Sequence, residues 1–194
     1  PMPNPGFHAM LAQTTHDENA RLDFVCTFKE HVTGPLAQGN RAIYDREVEP
    51  HFVRAHNRPP LDRHEVHREM RDNDYWQMYG SLFRLCQELK QDYGGDPVHR
   101  QIGGLIDKAR TYRDRATRGS LRLDENLRIP RYHTAVDIHC LPGGYHTEGA
   151  PDDVTAGAMY DPGVYFFAMG AMGDYNEDMG ASLIRWLDQQ HPNF

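Results

Sequence analysis

The stretch Asp74-Tyr75-Trp76-Gln77-Met78-Tyr79-Gly80-Ser81-Leu82-Phe83-Arg84-Leu85-Cys86-Gln87-Glu88-Leu89 decides the fold class. Tyr75, Trp76, Tyr79, Leu82, Phe83, Leu85, Cys86 and Leu89 recur at steps of three and four. A helix gathers them on one broad apolar face, whereas a half-buried strand needs alternation by two. Asp72 or Asp74 supplies the N-cap. Gly94-Gly95-Asp96 predicts the end of this helix and the cap of the next. That next helix carries Ile102, Leu105, Ile106 and Ala109, then turns Arg-rich up to Arg118.

The same pattern extends toward the N-terminus. Thr15 or Asp17 caps a helix that buries Leu22, Val25, Cys26 and Phe28, with an expected stop at Gly34-Pro35. A second helix starts near Asn40 and aligns Ile43, Tyr44, Val48 and Phe52, with Pro50 as a kink or interruption. Asn57-Arg58-Pro59-Pro60 is a break, after which Asp62 caps a short helix holding His64, Val66, His67 and Met70. Residues 1–14, with Pro3, Pro5 and Gly6, read as a flexible arm.

Toward the C-terminus the helical period vanishes at Gly119. Leu121, Leu123 and Leu127 hint at short extended structure, and the long irregular segment up to Pro151 is the kind that carries function. Asp152 then caps a helix to about Tyr160, and Asp161-Pro162-Gly163 makes a turn or a kink. Glu177 to Gln189 closes the sequence as an amphipathic helix through Met179, Leu183, Ile184, Trp186 and Leu187. The prediction is a mainly α fold, an irregular bundle of six or seven helices with an irregular or short-strand insertion around 120–150. Residues 15–194 read as a single domain, divided into a helical part (15–118), a polar loop segment (119–151) and C-terminal helices (152–194).

Composition narrows the function classes. The 194 residues are 39% hydrophobic and 25% charged, and the formal net charge is −7. That charge argues against nonspecific nucleic-acid binding, which needs a basic face to release counterions. The uncharged apolar stretch Pro162 to Gly173 is shorter than the roughly 20 residues a membrane span needs. A polar N-terminus and three widely spaced cysteines without a CxxC pair predict a cytoplasmic protein with neither a disulfide framework nor a zinc knuckle. Gly94-Gly95, Gly103-Gly104 and Gly143-Gly144 lack G-x-G spacing, and no Walker pattern occurs, so no nucleotide cradle is recognisable. Histidine is abundant, at 12 residues.

Two histidine clusters invite chemistry. His64-Glu65-Val66-His67 falls one residue short of the zincin spacing, and its charged surroundings predict a solvated helix face. The stronger candidate is His133 to His146. An extended backbone there places Asp137 and His139 on one side and Val136 and Ile138 toward a core. Pro142-Gly143-Gly144 then turns His146 back toward His139. His133, Asp137, His139 and His146 offer enough ligands for Fe(II) or Zn(II), and the same imidazoles serve equally as acid and base. A structural loop is the plainer alternative. Tyr132, Tyr145, Tyr160, Tyr165, Phe166 and Phe167 are core residues or the wall of a pocket. Arg110, Arg113, Arg115, Arg118 and Arg122 form a run that is solvated, holds an anion or docks a second domain.

The string from Arg131-Tyr132-His133 through Gly173 resembles the helical N-terminal region of bacterial class I SAM-dependent methyltransferases. The elements that carry it are Asp137-Ile138-His139-Cys140, Pro142-Gly143-Gly144-Tyr145-His146, Asp152-Asp153-Val154 and Tyr160-Asp161. Asn176 to Phe194 resembles the helix and connector that lead into that family's cofactor domain, and the earlier helices match more loosely. The resemblance implies a domain that recognises substrate, lids the active site or mediates dimerisation. On this reading Tyr132, His133, Asp137, Gly143, Gly144, Tyr145 and Tyr160 line the site of a small-molecule substrate, and His139 or His146 takes the proton of the nucleophile. The family's apolar strand and Gly-rich SAM loop do not occur in these residues. S-adenosylmethionine is therefore expected only through an absent C-terminal domain or a partner chain, with no cofactor or metal bound by this chain alone. Two other readings stay open. One is a small metal-dependent enzyme, Fe or Zn, built on the His133–His146 loop. The other is a protein interaction module, a homodimer among the possibilities, using the Arg110–Arg122 run or the Met159, Met169, Met172 and Met179 surface.

Overall fold

The structure is a computed structural model that describes residues 8–115, 122–124 and 126–192. Its helices are α1 (His16–His31), α2 (Ala37–Ile43), α3 (Glu49–His56), α4 (Arg63–Met70), α5 (Asp74–Arg115), α6 (Arg131–Thr134), α7 (Thr155–Phe167) and α8 (Asp178–Gln190). The expected mainly α, irregular bundle is what forms, and no strand occurs among the described residues. Leu123 and Leu127, read as hints of extended structure, are exposed and unpaired with any strand; Leu121 and Arg118 lie outside the described residues. No described helix is long and apolar enough to cross a membrane. The chain divides into two compact units, Thr27–Leu89 and the combination of Pro1–Cys26 with Lys90–Phe194.

In the 27–89 unit the expected stop at Gly34-Pro35 does not occur. The chain stays helical from the end of α1 to His56 through two π turns, Val32–Leu36 and Tyr44–Val48. Proline has no N–H for the usual i−4 bond, and a π turn absorbs the mismatch. The Ala37 N–H reaches the Val32 carbonyl, and the Glu49 N–H reaches that of Tyr44, each five residues back. Pro50 follows the second π turn directly and does not interrupt the helix. Gly39 is needed for a different reason. The Tyr75 hydroxyl, which donates to the Leu36 carbonyl at 2.9 Å, occupies the space a Cβ on Gly39 would take.

Helix α4 begins as expected at Asp62, whose carboxylate accepts from the His64 and Glu65 amides at 2.9 Å each. The His64–His67 motif has a structural role. Glu65 takes both arms of the Arg58 guanidinium at 2.8 Å and the Leu61 amide at 2.9 Å, closing the Asn57–Pro60 break over the helix start. The Arg58 hydrogen bonds and the Leu61 amide pull its carboxyl down to about 2.

In the unit containing residues 90–194, the core is Ala12, Val98, Leu105, Leu141, Ala158 and Met159, with Met10, Tyr145, Val154 and Ala156 packed against it. Gly94-Gly95-Asp96 was expected to end a helix, yet α5 runs through it and through Pro97. Gly95 is buried because Met159 packs there: a Cβ would lie 3.1 Å from its terminal methyl carbon. Gly95 permits close approach to α7, and the buried Val98, Leu105 and Ile106 hold the helix in register beyond it. Thr15 caps α1 in a capping box: the Glu18 amide donates to Thr15 Oγ1 at 3.3 Å, and the Thr15 amide to the Glu18 carboxylate at 2.7 Å. Arg100 also grips that carboxylate, at 2.7 and 3.2 Å, and lowers its pKa. Residues 8–14, read as part of a loose arm, are tied down. His8 meets Asp161 at 2.6 Å, and the Gln13 carbonyl accepts from Arg100 and Gln101. The first seven residues lie outside the described ones. Asp161-Pro162-Gly163, read as a turn or a kink, does not end the helix but lies within α7.

Two substitutions separate propensity from packing. Gly103 in α5 faces open space, so Gly103→Ala raises stability by about 0.5–1 kcal/mol. Gly39→Ala gains the same propensity but displaces Tyr75, and a lower melting temperature is expected in thermal scans. Glu65 predicts an acid dependence. Its folded pKa lies below the ordinary value, so its stabilisation is complete above pH about 4.5 and disappears as pH falls toward about 2. Urea titrations of Glu65→Gln and wild type should therefore differ at pH 7 and converge near pH 2.

Candidate functional site

The segment from Pro130 to Gly149 forms the site around three turns. Helix α6 is a single turn, followed by a 3-10 turn at Ile138–Cys140 and a turn across Pro142–His146. The extended backbone expected here is not adopted. Val136 therefore does not face a core but is exposed, and Asp137 and His139 do not alternate along a strand. His139 and Cys140 have φ of 56° and 55°, two successive non-glycine residues in the left-handed region; Gly143 and Gly144 follow at 75° and 63°. Glycine accepts that conformation freely, whereas the other two are held in it by their surroundings.

Three contacts do the holding. Leu141 is buried in the core. Gln91, buried on α5, donates its Nε2 to the His139 carbonyl at 2.9 Å. Thr147 Oγ1 closes the turn on the Gly143 carbonyl. Farther along, Arg110 and Arg113 place their guanidinium groups on the two oxygens of Asp152 at 2.9 and 3.0 Å and lower its pKa. Asp152 is thus an anchor for the loop. The capping of α7 passes to Asp153, which accepts from the Thr155 and Gly149 amides at 2.7 Å each.

These constraints bring His139, Tyr145 and Tyr160 together. His139 Nδ1 lies 2.7 Å from the Tyr145 hydroxyl. The Tyr145 ring stands edge-on to both His139 and Tyr160, with centroids 5.8 and 5.7 Å apart. Burial, and to a lesser extent Tyr160, raises the Tyr145 phenol above its usual pKa. It therefore stays protonated near neutrality. A phenol both donates and accepts, so it can support either neutral tautomer of His139. Donating to Nδ1 leaves Nε2–H as a hydrogen-bond donor; accepting from Nδ1 leaves Nε2 as a base. His139 is exposed, so a reacting group has access to it.

The other expected site residues surround this pair less closely. Tyr132, on α6, is exposed and lies against the His133 ring at 5.2 Å. Asp137 accepts the Cys140 amide through its carbonyl. His146 packs by Gly144, where its Nδ1 is buried without a hydrogen-bond partner. The aromatic neighbour of His139 is thus Tyr145, in the place where the turn was expected to bring His146. Among the described residues no group of three or more His, Cys, Asp or Glu side chains is arranged to hold a metal ion. Behind the loop a cavity of about 470 Å³ is lined by Leu141, Gly144 and Thr147 and, across it, by Asp92, Asp96 and His99 of α5.

Gln91, Arg110 and Arg113 in these roles were not legible beforehand, because each acts on a segment about 40 or more residues away. Compared with protein-family models, with curated proteins and with solved structures, the chain matches none.

Removing the α5 donor tests the scaffold. In Gln91→Glu the carboxylate cannot donate to the His139 carbonyl. Hydrogen exchange at the Cys140, Leu141 and Gly144 amides is expected to speed up at least tenfold, with the α5 amides unchanged.

Proposed function

We propose that this chain is the substrate-recognition or lid domain of a SAM-dependent methyltransferase, with the methyl donor held by another domain or partner chain. The observation that carries the chemical part is the His139–Tyr145 pair, 2.7 Å apart on a backbone held in the left-handed region. Methyl transfer to a hydroxyl or amine needs a group that takes the acceptor's proton, and it needs water kept away. His139, poised by Tyr145, is suited to the first task. Tyr132, Tyr145 and Tyr160 are suited to the second once substrate lies against them. The family assignment itself rests on the resemblance of residues 131–173.

The exposed apolar face of α8 fits a cofactor-bearing domain as neighbour. Met179, Leu183, Ile184 and Trp186 are 70, 56, 55 and 53% exposed, which is unusual for a face this amphipathic. The same face supports a second reading, a module whose task is association with another protein or with a second copy of this chain.

Calorimetry with S-adenosylhomocysteine is expected to show no binding to the 194-residue chain. Extending the chain beyond Phe194 with whatever its own gene encodes there is expected to bring binding. A downstream frame without an apolar strand and Gly-rich loop, together with no binding, sinks the methyltransferase reading. In the active assembly, His139→Ala should lower kcat by about 10²-fold or more with a smaller change in KM. Tyr145→Phe should lower it less and shift the pH profile.

A further inference from the structure

A cleft of about 550 Å³ opens within the 27–89 unit, among α2, the second π turn, α4 and the start of α5. That size is ordinary for a small-molecule site. Arg63, Val66, His67 and Met70 line it from α4 at steps of three, one and three, so they share one helix face, with His64 at its margin. Asn40, Arg41 and Tyr44 line it from α2 and the π turn, and Trp76 from the first turn of α5. The unit's own contacts hold these walls. Asn73 Oδ1 accepts from the Tyr75 and Trp76 amides at 3.0 and 3.3 Å, which fixes Trp76 at the helix start. The Tyr75 hydroxyl on the Leu36 carbonyl ties α5 to the entry of α2. The Asp62 cap and the Arg58–Glu65 clasp secure the start of α4.

The cleft is apolar and aromatic inside and basic at its rim. Met70 is buried, and Tyr44, Val66 and Trp76 are half-buried. The Trp76 ring meets His67 edge-on, with centroids 6.3 Å apart. The chain has 28 Asp and Glu residues and a net charge of −7, yet among the described residues no carboxylate lines this cleft, whereas two arginines do. Helical spacing gives the reason: Glu65 and Glu69 fall on the other side of α4, and Glu65 is occupied by Arg58. Arg41 gives its Nε to Asp45 at 2.8 Å and lies over the Tyr44 ring at 5.8 Å. Arg63 is exposed and makes no ion pair with a described carboxylate. A guanidinium offers parallel N–H groups that match the two oxygens of a carboxylate, and aromatic walls favour a ring as neighbour. One available guanidinium beside Trp76 and Tyr44 thus suits a single carboxylate on an aromatic body. A cation would meet two arginines, and a phosphate calls for several donors at once.

We propose that this cleft binds a small aromatic carboxylate, with the carboxylate at Arg63 and the ring against Trp76 and Tyr44. The site is independent of the methyltransferase reading, because it requires neither SAM nor the loop histidines.

The test is an NMR and calorimetric titration of the 194-residue chain with 1-naphthaleneacetate, the neutral 1-naphthaleneacetamide and octanoate. The naphthaleneacetate is expected to bind with Kd below about 1 mM and to shift the Trp76 indole N–H and the Met70 methyl signals. The amide tests the charge and should bind about tenfold more weakly or worse; octanoate tests the ring and should also bind more weakly. Arg63→Gln changes an exposed side chain, so the fold is expected to persist, and it should weaken the naphthaleneacetate about tenfold. Arg68→Gln, on the same helix but outside the cleft, should leave the affinity within about twofold. The proposal is overturned if the naphthaleneacetate does not bind, if the amide or octanoate binds equally well, or if the Arg63 and Arg68 variants behave alike. Trp76 signals that move with protein concentration and not with ligand would assign the cleft to a second copy of the chain and overturn it as well.

Discussion

The uninterrupted course of α5 through Gly94, Gly95 and Pro97 is the constraint on which the 90–194 unit depends. Two glycines and a proline destabilise an isolated helix by several kcal/mol, on the order of 1 for each glycine and 3 for the proline. Burial of Val98, Leu105 and Ile106 opposes that cost, and the close approach of Met159 makes Gly95 a packing device. Because the helix continues, one rod carries nearly every anchor of the unit. Gln91 holds the His139 carbonyl, Arg100 holds Glu18, Gln101 holds Gln13, and Arg110 with Arg113 hold Asp152. Breaking the helix at Gly94 would separate the first of these anchors from the rest.

The loop from Pro130 to Gly149 draws its conformation from those anchors. Two non-glycine residues in the left-handed region cost on the order of 1–3 kcal/mol each. The burial of Leu141 and the Gln91 hydrogen bond oppose that cost locally. The outcome is that an exposed imidazole and a half-buried phenol are fixed at hydrogen-bond distance, with a second tyrosine edge-on to the phenol. A flexible loop of the same composition would hold the pair together only part of the time. The fixed geometry makes this the strongest candidate site for proton transfer, and it is the basis of the lid reading proposed above.

Local signals read well where the physics is local. The Asp62 cap, the α1 cap read as Thr15 or Asp17, the short α4 and the amphipathic α8 all appear within one or two residues of their expected places. The breakers misled, because Gly34-Pro35, Gly94-Gly95 and Pro162 each weaken a helix without ending it when neighbouring side chains are buried. The candidate site was legible as a stretch but not as a constellation. His139, Tyr145 and Tyr160 were all singled out, yet an extended backbone would have put Asp137 on the side of His139, and the Pro142–Gly144 turn would have brought His146 to it.

The sequence by itself determined that this is a mainly helical protein, where most helices begin, and which segment departs from helical periodicity. Those properties follow from the spacing of apolar side chains and from capping groups a few residues away. Only the tertiary structure decided that the glycine-proline stretches stay helical, that Tyr145 lies beside His139, and that Asp152 ties the loop to α5. Each of those outcomes depends on contacts between residues distant along the chain, whose burial and hydrogen bonds outweigh local preference.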